Sequence, residues 1–149
     1  MNTLNDEKRR ELSAVRAVME AEGIRPRRSK PTSSGRFHYS DRDEKGRPRN
    51  LGFEWDGAGF DDGGRLIIIE AELNGSLNAS HIQSHIARLP LMISAGDSVE
   101  KIIWVIQPSS RRQLTDIISN WMAFFEPALK IRMPEMAIRS PRGDPIPME

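Results

Sequence analysis

Asp56, Glu70 and Glu72, with Glu54 close by, are the residues of this sequence whose types and spacing point to chemistry. Side chains alternate across a strand, so Glu70 and Glu72 share one face of the segment that follows Leu66, while Ile69, Ala71 and Leu73 share the other. The preceding segment alternates in the same way, Phe53 and Trp55 against Glu54 and Asp56. If the two form a hairpin, register decides whether acids meet acids, because a slip of one residue exchanges the faces. The apolar residues select Asp56 opposite Glu70 and Glu54 opposite Glu72, with Phe53 and Trp55 joining Ala71 and Leu73 on the core side. Residues 61 to 65 are then left for the loop, which Asp61-Asp62-Gly63-Gly64 can turn. Like charges directly opposite destabilise a sheet by a few tenths to about 1 kcal/mol per pair, and close carboxylates raise one another's pKa. A hard divalent cation answers both problems, and Mg²⁺ is typically held by one or two carboxylates together with waters and substrate phosphates. Mg²⁺ or Mn²⁺ at Asp56, Glu70 and Glu72 is therefore the expectation, whereas Glu54 by itself reads as a hydrated surface acid.

The elements that must position these acids can be read in order. Residues 3 to 22 predict a helix capped by Thr3 or Asn5, with Leu4, Leu12, Val15, Val18 and Met19 as its apolar stripe and Gly23 as its stop. Residues 24 to 35 predict an exposed basic loop, 36 to 39 a short strand, 51 to 55 a second strand and about 65 to 73 a third. Asn78, Ser80 and the spacing of Ile82, Ile86, Leu89 and Ile93 predict an amphipathic helix ending near Gly96, with a bend at Pro90. Residues 101 to 107 predict a buried strand. A second amphipathic helix follows from Ser109 or Ser110, with Leu114, Ile117, Ile118, Trp121, Met122 and Phe125 inward, until Pro127 stops it. A strand at 129 to 133 closes a single domain of residues 1 to 133, and the Pro-rich tail, 134 to 149, is expected to be irregular. The order predicts an α/β sandwich, a central mixed sheet flanked by helices.

The net charge of +1 conceals an asymmetry: residues 1 to 50 hold 13 Lys/Arg against 8 Asp/Glu, 51 to 100 hold 2 against 8, and 101 to 149 hold 7 against 5. A basic front beside an acidic middle suits a protein that holds a polyanion on one surface and a cation elsewhere. The absence of cysteine excludes disulfides, zinc-thiolate sites and a cysteine nucleophile, so any metal is held by oxygen or imidazole. The longest aliphatic run falls far short of the roughly 20 apolar residues a membrane helix needs, and the first residues show no apolar signal region. A cytoplasmic protein with no membrane role is expected.

The acid that ends one strand and the acid-x-acid on the next, Asp56 and then Glu70-Ala71-Glu72 after "LIII", resemble the PD-(D/E)XK nuclease superfamily over about residues 3 to 107. That resemblance implies a restriction endonuclease-like three-layer sandwich and metal-dependent hydrolysis of phosphodiester bonds, DNA being the expected substrate. It assigns Asp56, Glu70 and Glu72 to the metal, Glu72 as ligand or general base. Gln83, on the following helix, would position water or phosphate, and Glu11 matches the first-helix acid of some relatives. The family's lysine is Glu72 here, so a basic group would come from the helix, with Arg88, His81 or His85 as candidates. Arg25, Arg27, Arg28, Lys30 and Arg36, with Arg88, would meet the nucleic-acid backbone and make binding salt-dependent. A homodimer would supply a second active site for the opposite strand. The alternative is a catalytically degenerate nuclease-fold protein serving as a nucleic-acid-binding or protein-interaction module.

Other motifs are weaker. His81 and His85 stand four apart and can face one zinc ion, but the Glu that follows the first His in helical metalloproteases is Ile82 here. Gly57, Gly59, Gly63 and Gly64 lack a Walker or dinucleotide context and read as turn residues. Trp104 and Trp121 belong to the core pattern, and Ser76 has no nucleophile-elbow setting.

Overall fold

The computed structural model describes residues 3–26, 37–42, 45, 48–74, 77–94, 99–130 and 132–148. Helix α1 runs Thr3–Glu22, and strand β1 is Arg25–Pro26. Strands β2, Phe37–Arg42, and β3, Pro48–Trp55, pair antiparallel as a separate two-stranded sheet. Strand β4, Gly57–Phe60, turns back into β5, Leu66–Glu72. Helix α2, Ala79–Ser94, leads to β6, Val99–Ile106; a 3-10 turn at Pro108–Ser110 opens α3, Arg111–Leu129. Strands β7, Glu135–Arg139, and β8, Pro145–Ile146, end the chain.

The main sheet has the order β1-β4-β5-β6-β7-β8, with β5, β6 and β7 parallel and the other pairs antiparallel. The β5–α2–β6 and β6–α3–β7 crossovers lay both helices on one face, where Ile82, Ile86, Leu89, Leu114 and Ile118 pack on Ile68, Ile102, Trp104 and Ile106. Helix α1 covers the other face with Ala14, Val15, Val18 and Met19 against Ile67, Ile69, Ile103 and Val105. Each such aliphatic side chain contributes roughly 1.5–3 kcal/mol when fully buried. The molecule is thus an α/β protein with helices on both faces of a mixed sheet.

α1 stops as its sequence requires. Gly23 takes a positive φ of 67°, its N–H donates to the Glu20 carbonyl (3.3 Å) and the Ile24 N–H to that of Met19 (2.9 Å). Ile24 and Met19 then join the same buried cluster, the hydrophobic contact of a Schellman cap. Two glycines let the layers close: a Cβ on Gly57 would come within 2.6 Å of Val15 Cγ1, and one on Gly59 would collide with the carbonyl oxygen of Arg25 in β1.

Several expectations are corrected. The hairpin partner of β5 is residues 57–60, since the chain bends at Asp56 and 51–55 leaves for β2. Trp55 is therefore buried with Ile68, Ile82 and Trp104, across the sheet from Ala71. Helix α2 continues past Pro90 to Ser94, as expected, but α3 does not stop at Pro127 and runs on to Leu129. A proline forfeits one backbone hydrogen bond, and so near the end of α3 the loss is small. α3 reaches Leu129, Lys130 takes a left-handed conformation after it and residues 132–133 are not in a strand; the strand is β7, inside the segment expected to be irregular. Pro134 and Pro141 flank β7, Ile138 is buried, and Gly143 at φ 92° turns the chain into β8. Arg139 Nε reaches Glu22 Oε1 at 2.5 Å, tying β7 to the end of α1.

Candidate functional site

The acids sit where the β4–β5 ladder stops. The β4–β5 register pairs Gly57 with Ile69, so the next rung is Asp56 and Glu70. No ladder continues there, yet the backbone amides are buried and need acceptors. The carboxylates supply them. Asp56 N–H donates to Glu70 Oε1 at 2.9 Å, and Ala71 N–H donates to Asp56 Oδ2 at 2.9 Å. The expected second acid pair does not form, because residue 54 is opposite His38 in β3–β2.

These acids are not on an open face. Asp56 is 7% exposed, Glu70 0% and Glu72 7%, beneath α2. Helix α2 starts at an Asn78 cap, whose Oδ1 accepts from His81 N–H at 3.2 Å. From there His81, His85 and Arg88 lie on one stripe, beside the core stripe of Ile82, Ile86 and Leu89. His81 Nδ1 stands 2.6 Å from Glu72 Oε1, and its side chain is 45% exposed. His85 Nε2 stands 2.8 Å from Glu70 Oε2, both side chains only 1% exposed. That second contact has the distance of an ion pair but not the alignment of a hydrogen bond. Behind it, Arg88 Nη1 lies 3.2 Å from His85 Nδ1. The two imidazoles are 4.5 Å apart, and Trp55 and Trp104 wall His85 at 5.5 and 6.5 Å between centroids.

The pairing follows from two pitches. Glu70 and Glu72 are two residues apart on a strand, roughly 6.6 Å; His81 and His85 are four apart on a helix, about 6.0 Å. Because α2 runs antiparallel to β5, Glu72 meets His81 and Glu70 meets His85. This match of spacings was the signal in the sequence that could have joined the histidines to the acids.

Asp56, Glu70, Glu72, His81, His85 and Arg88 are thus brought together. Gln83 is not: helical geometry puts it nearly half a turn from His85, and it bonds to none of these acids among the described residues. Glu11 lies on α1, one turn before Val15, on the helix that packs the opposite face of the sheet from α2. Arg25 pairs with Phe60, which pairs with Leu66; it is exposed at the other end of β5, roughly 20 Å of strand from Glu72. Arg27, Arg28, Lys30 and Arg36, and the side chain of Glu54, lie outside the described residues.

The donor atoms that come within 4.8 Å of one another as a group are those of Glu72, His81 and His85, a mixed carboxylate and imidazole set. Asp56 and Glu70 do not form such a group with Glu72 among the described residues. A cleft of about 970 Å³ opens instead at the far end of the sheet, among Asp61, Arg65, Glu100, Lys101, Arg132 and Met133. Its lining includes none of these acids or histidines, so this cleft lies apart from the cluster. No helix among the described residues is long and apolar enough to cross a membrane. Comparison with protein-family models, with curated proteins and with solved structures finds no match in any of the three.

Proposed function

We propose that the protein is a metal-dependent phosphodiester hydrolase acting on nucleic acid, DNA in the first place, on a restriction endonuclease-like three-layer sandwich. The observation that carries this is the convergence of Asp56, Glu70 and Glu72 at the carboxyl end of β5 with two imidazoles from α2 facing the two glutamates. The order of α1, the antiparallel β4–β5 hairpin, α2 and parallel β6 supports the same reading. His81, 2.6 Å from Glu72, supplies the basic group that the acid at the family's lysine position leaves missing.

Glu72 and His81 would hold the divalent ion, which when bound polarises a phosphoryl oxygen and acidifies a water. An imidazole in the donor set suits Mn²⁺ better than Mg²⁺, which prefers oxygen alone. Glu72 Oε1 and His81 Nδ1, 2.6 Å apart, are the donor atoms that would take the ion, at the half-open rim. Asp56 and Glu70 fix the strand end on which Glu72 stands, and Trp55 and Trp104 keep water from behind the histidines. Contacts to the nucleic-acid backbone fall to the basic residues Arg27, Arg28, Lys30 and Arg36.

One observation favours a second reading, a degenerate nuclease fold that binds without cutting: each buried glutamate already has an imidazole nitrogen beside it without an ion. Cleavage of single- and double-stranded DNA and RNA with Mn²⁺ or Mg²⁺, wild type beside Glu72→Gln, separates the two. Metal-dependent cutting lost in the variant supports the hydrolase. Absence of both cutting and metal uptake in the wild type selects the binding module.

A further inference from the structure

The two histidines of α2 are not equivalent. Arg88 Nη1 lies 3.2 Å from His85 Nδ1, and a guanidinium carries only N–H donors, so Nδ1 is the acceptor. Neutral His85 then has its proton on Nε2, the atom that faces Glu70 Oε2 at 2.8 Å. A metal-ligating histidine is arranged in the opposite sense, its second ring nitrogen donating N–H to a carboxylate or carbonyl while the lone pair meets the ion. His81 Nδ1 stands instead beside Glu72 Oε1, and those two atoms are the donors an ion would take.

We propose that Arg88 sets the tautomer of His85 and so keeps it out of the ion's coordination, making His85 the positioning residue of Glu70 and leaving the ion to His81 and Glu72. Burial fits the division. His85 is 1% exposed, between Trp55 and Trp104, whereas His81 reaches the rim at 45% side-chain exposure. The consequence is chemical: proximity alone makes Glu72, His81 and His85 a three-point holder, and withdrawing one of them leaves positions for water and a substrate phosphate. Catalytic metal sites keep such positions open, while structural ones are closed. The part that concerns the ion rests on the metal reading above; the tautomer does not.

The test is long-range ¹H–¹⁵N correlation spectroscopy of the full chain labelled at histidine nitrogens, with resonances assigned through single His→Gln variants. Wild-type His85 is expected to carry its proton on Nε2. Arg88→Lys, another donor-only side chain, keeps that form, and Arg88→Leu releases a population with the proton on Nδ1. A wild-type Nδ1–H form, or no change in Arg88→Leu, overturns the assignment. Zn²⁺, the diamagnetic probe, is then added: Nδ1 of His81 shifts and His85 stays in place. Zn²⁺ shifts at both histidines overturn the exclusion of His85. Shifts at neither remove the metal reading itself, while the tautomer result still decides the role of Arg88.

Discussion

Asp56 and Glu70 close the end of the β4–β5 ladder with their side chains, the Asp56 amide donating to the Glu70 carboxylate and the Asp56 carboxylate accepting from the Ala71 amide. The two acids therefore complete a sheet as well as charging a site. Asp56→Ala leaves the buried Ala71 amide without its acceptor, a loss of about 1–3 kcal/mol. Asp56→Asn retains an acceptor oxygen and loses less. Urea unfolding with unchanged m-values checks both, and an Asp56→Ala protein as stable as wild type would sink the ladder-end role.

Breaking the Glu70–His85 pair strands a buried charge. His85→Leu is expected to cost about 1–3 kcal/mol, the range for leaving a buried polar group without its partner. Glu70→Gln with His85→Leu should cost clearly less than the sum of the single changes, because no carboxylate is then left uncompensated. Additive losses in that cycle would mean that the two residues do not interact.

At the rim the expectation reverses. His81 is exposed, so His81→Ala leaves the melting temperature in buffer almost unchanged. Mn²⁺ at about a hundred times its Kd stabilises the wild type by about 2.7 kcal/mol, and this gain disappears in His81→Ala. Equal stabilisation of both proteins places the ion elsewhere.

The hairpin loop carries a pH signature. Asp61 Oδ1 accepts from Arg65 N–H at 2.9 Å and Gly63 N–H at 3.0 Å, and Oδ2 faces Arg65 Nε at 2.8 Å. The Arg65 backbone hydrogen bond, opposed by some desolvation and aided by the guanidinium and the Gly63 amide, holds the Asp61 carboxyl below its ordinary 3.8. A group lowered on folding stabilises above its unfolded pKa and loses that contribution as the pH falls through its folded value. Asp61→Asn should therefore melt lower than wild type at pH 7, with the gap narrowing as the pH falls below about 3.8. A pH-independent gap means that the charge is not involved.

The legible parts of the molecule were those written in local spacing. Gly23 after an apolar stripe gave the end of α1, and the alternation around Glu70 and Glu72 gave their shared face and the Asp56 rung. What alternation could not show is that the chain bends at Asp56: a bend lets Trp55 pack beneath α2 with Ile68, where strict alternation sends it to the other side. Nor did composition reveal β7, because prolines at the margins of a strand do not interrupt its ladder. Gln83 was assigned by order in the chain rather than by angle around the helix. The histidines were visible as a pair, but their partners lie on another element, and only packing chooses between facing one ion and facing two acids.

The two glutamate–histidine rungs act as a vernier. Strand and helix repeats of roughly 6.6 and 6.0 Å coincide over two rungs and drift apart beyond them, so any slide of α2 along β5 loses both together. Docking of the helix on the strand is what brings the imidazoles to the acids.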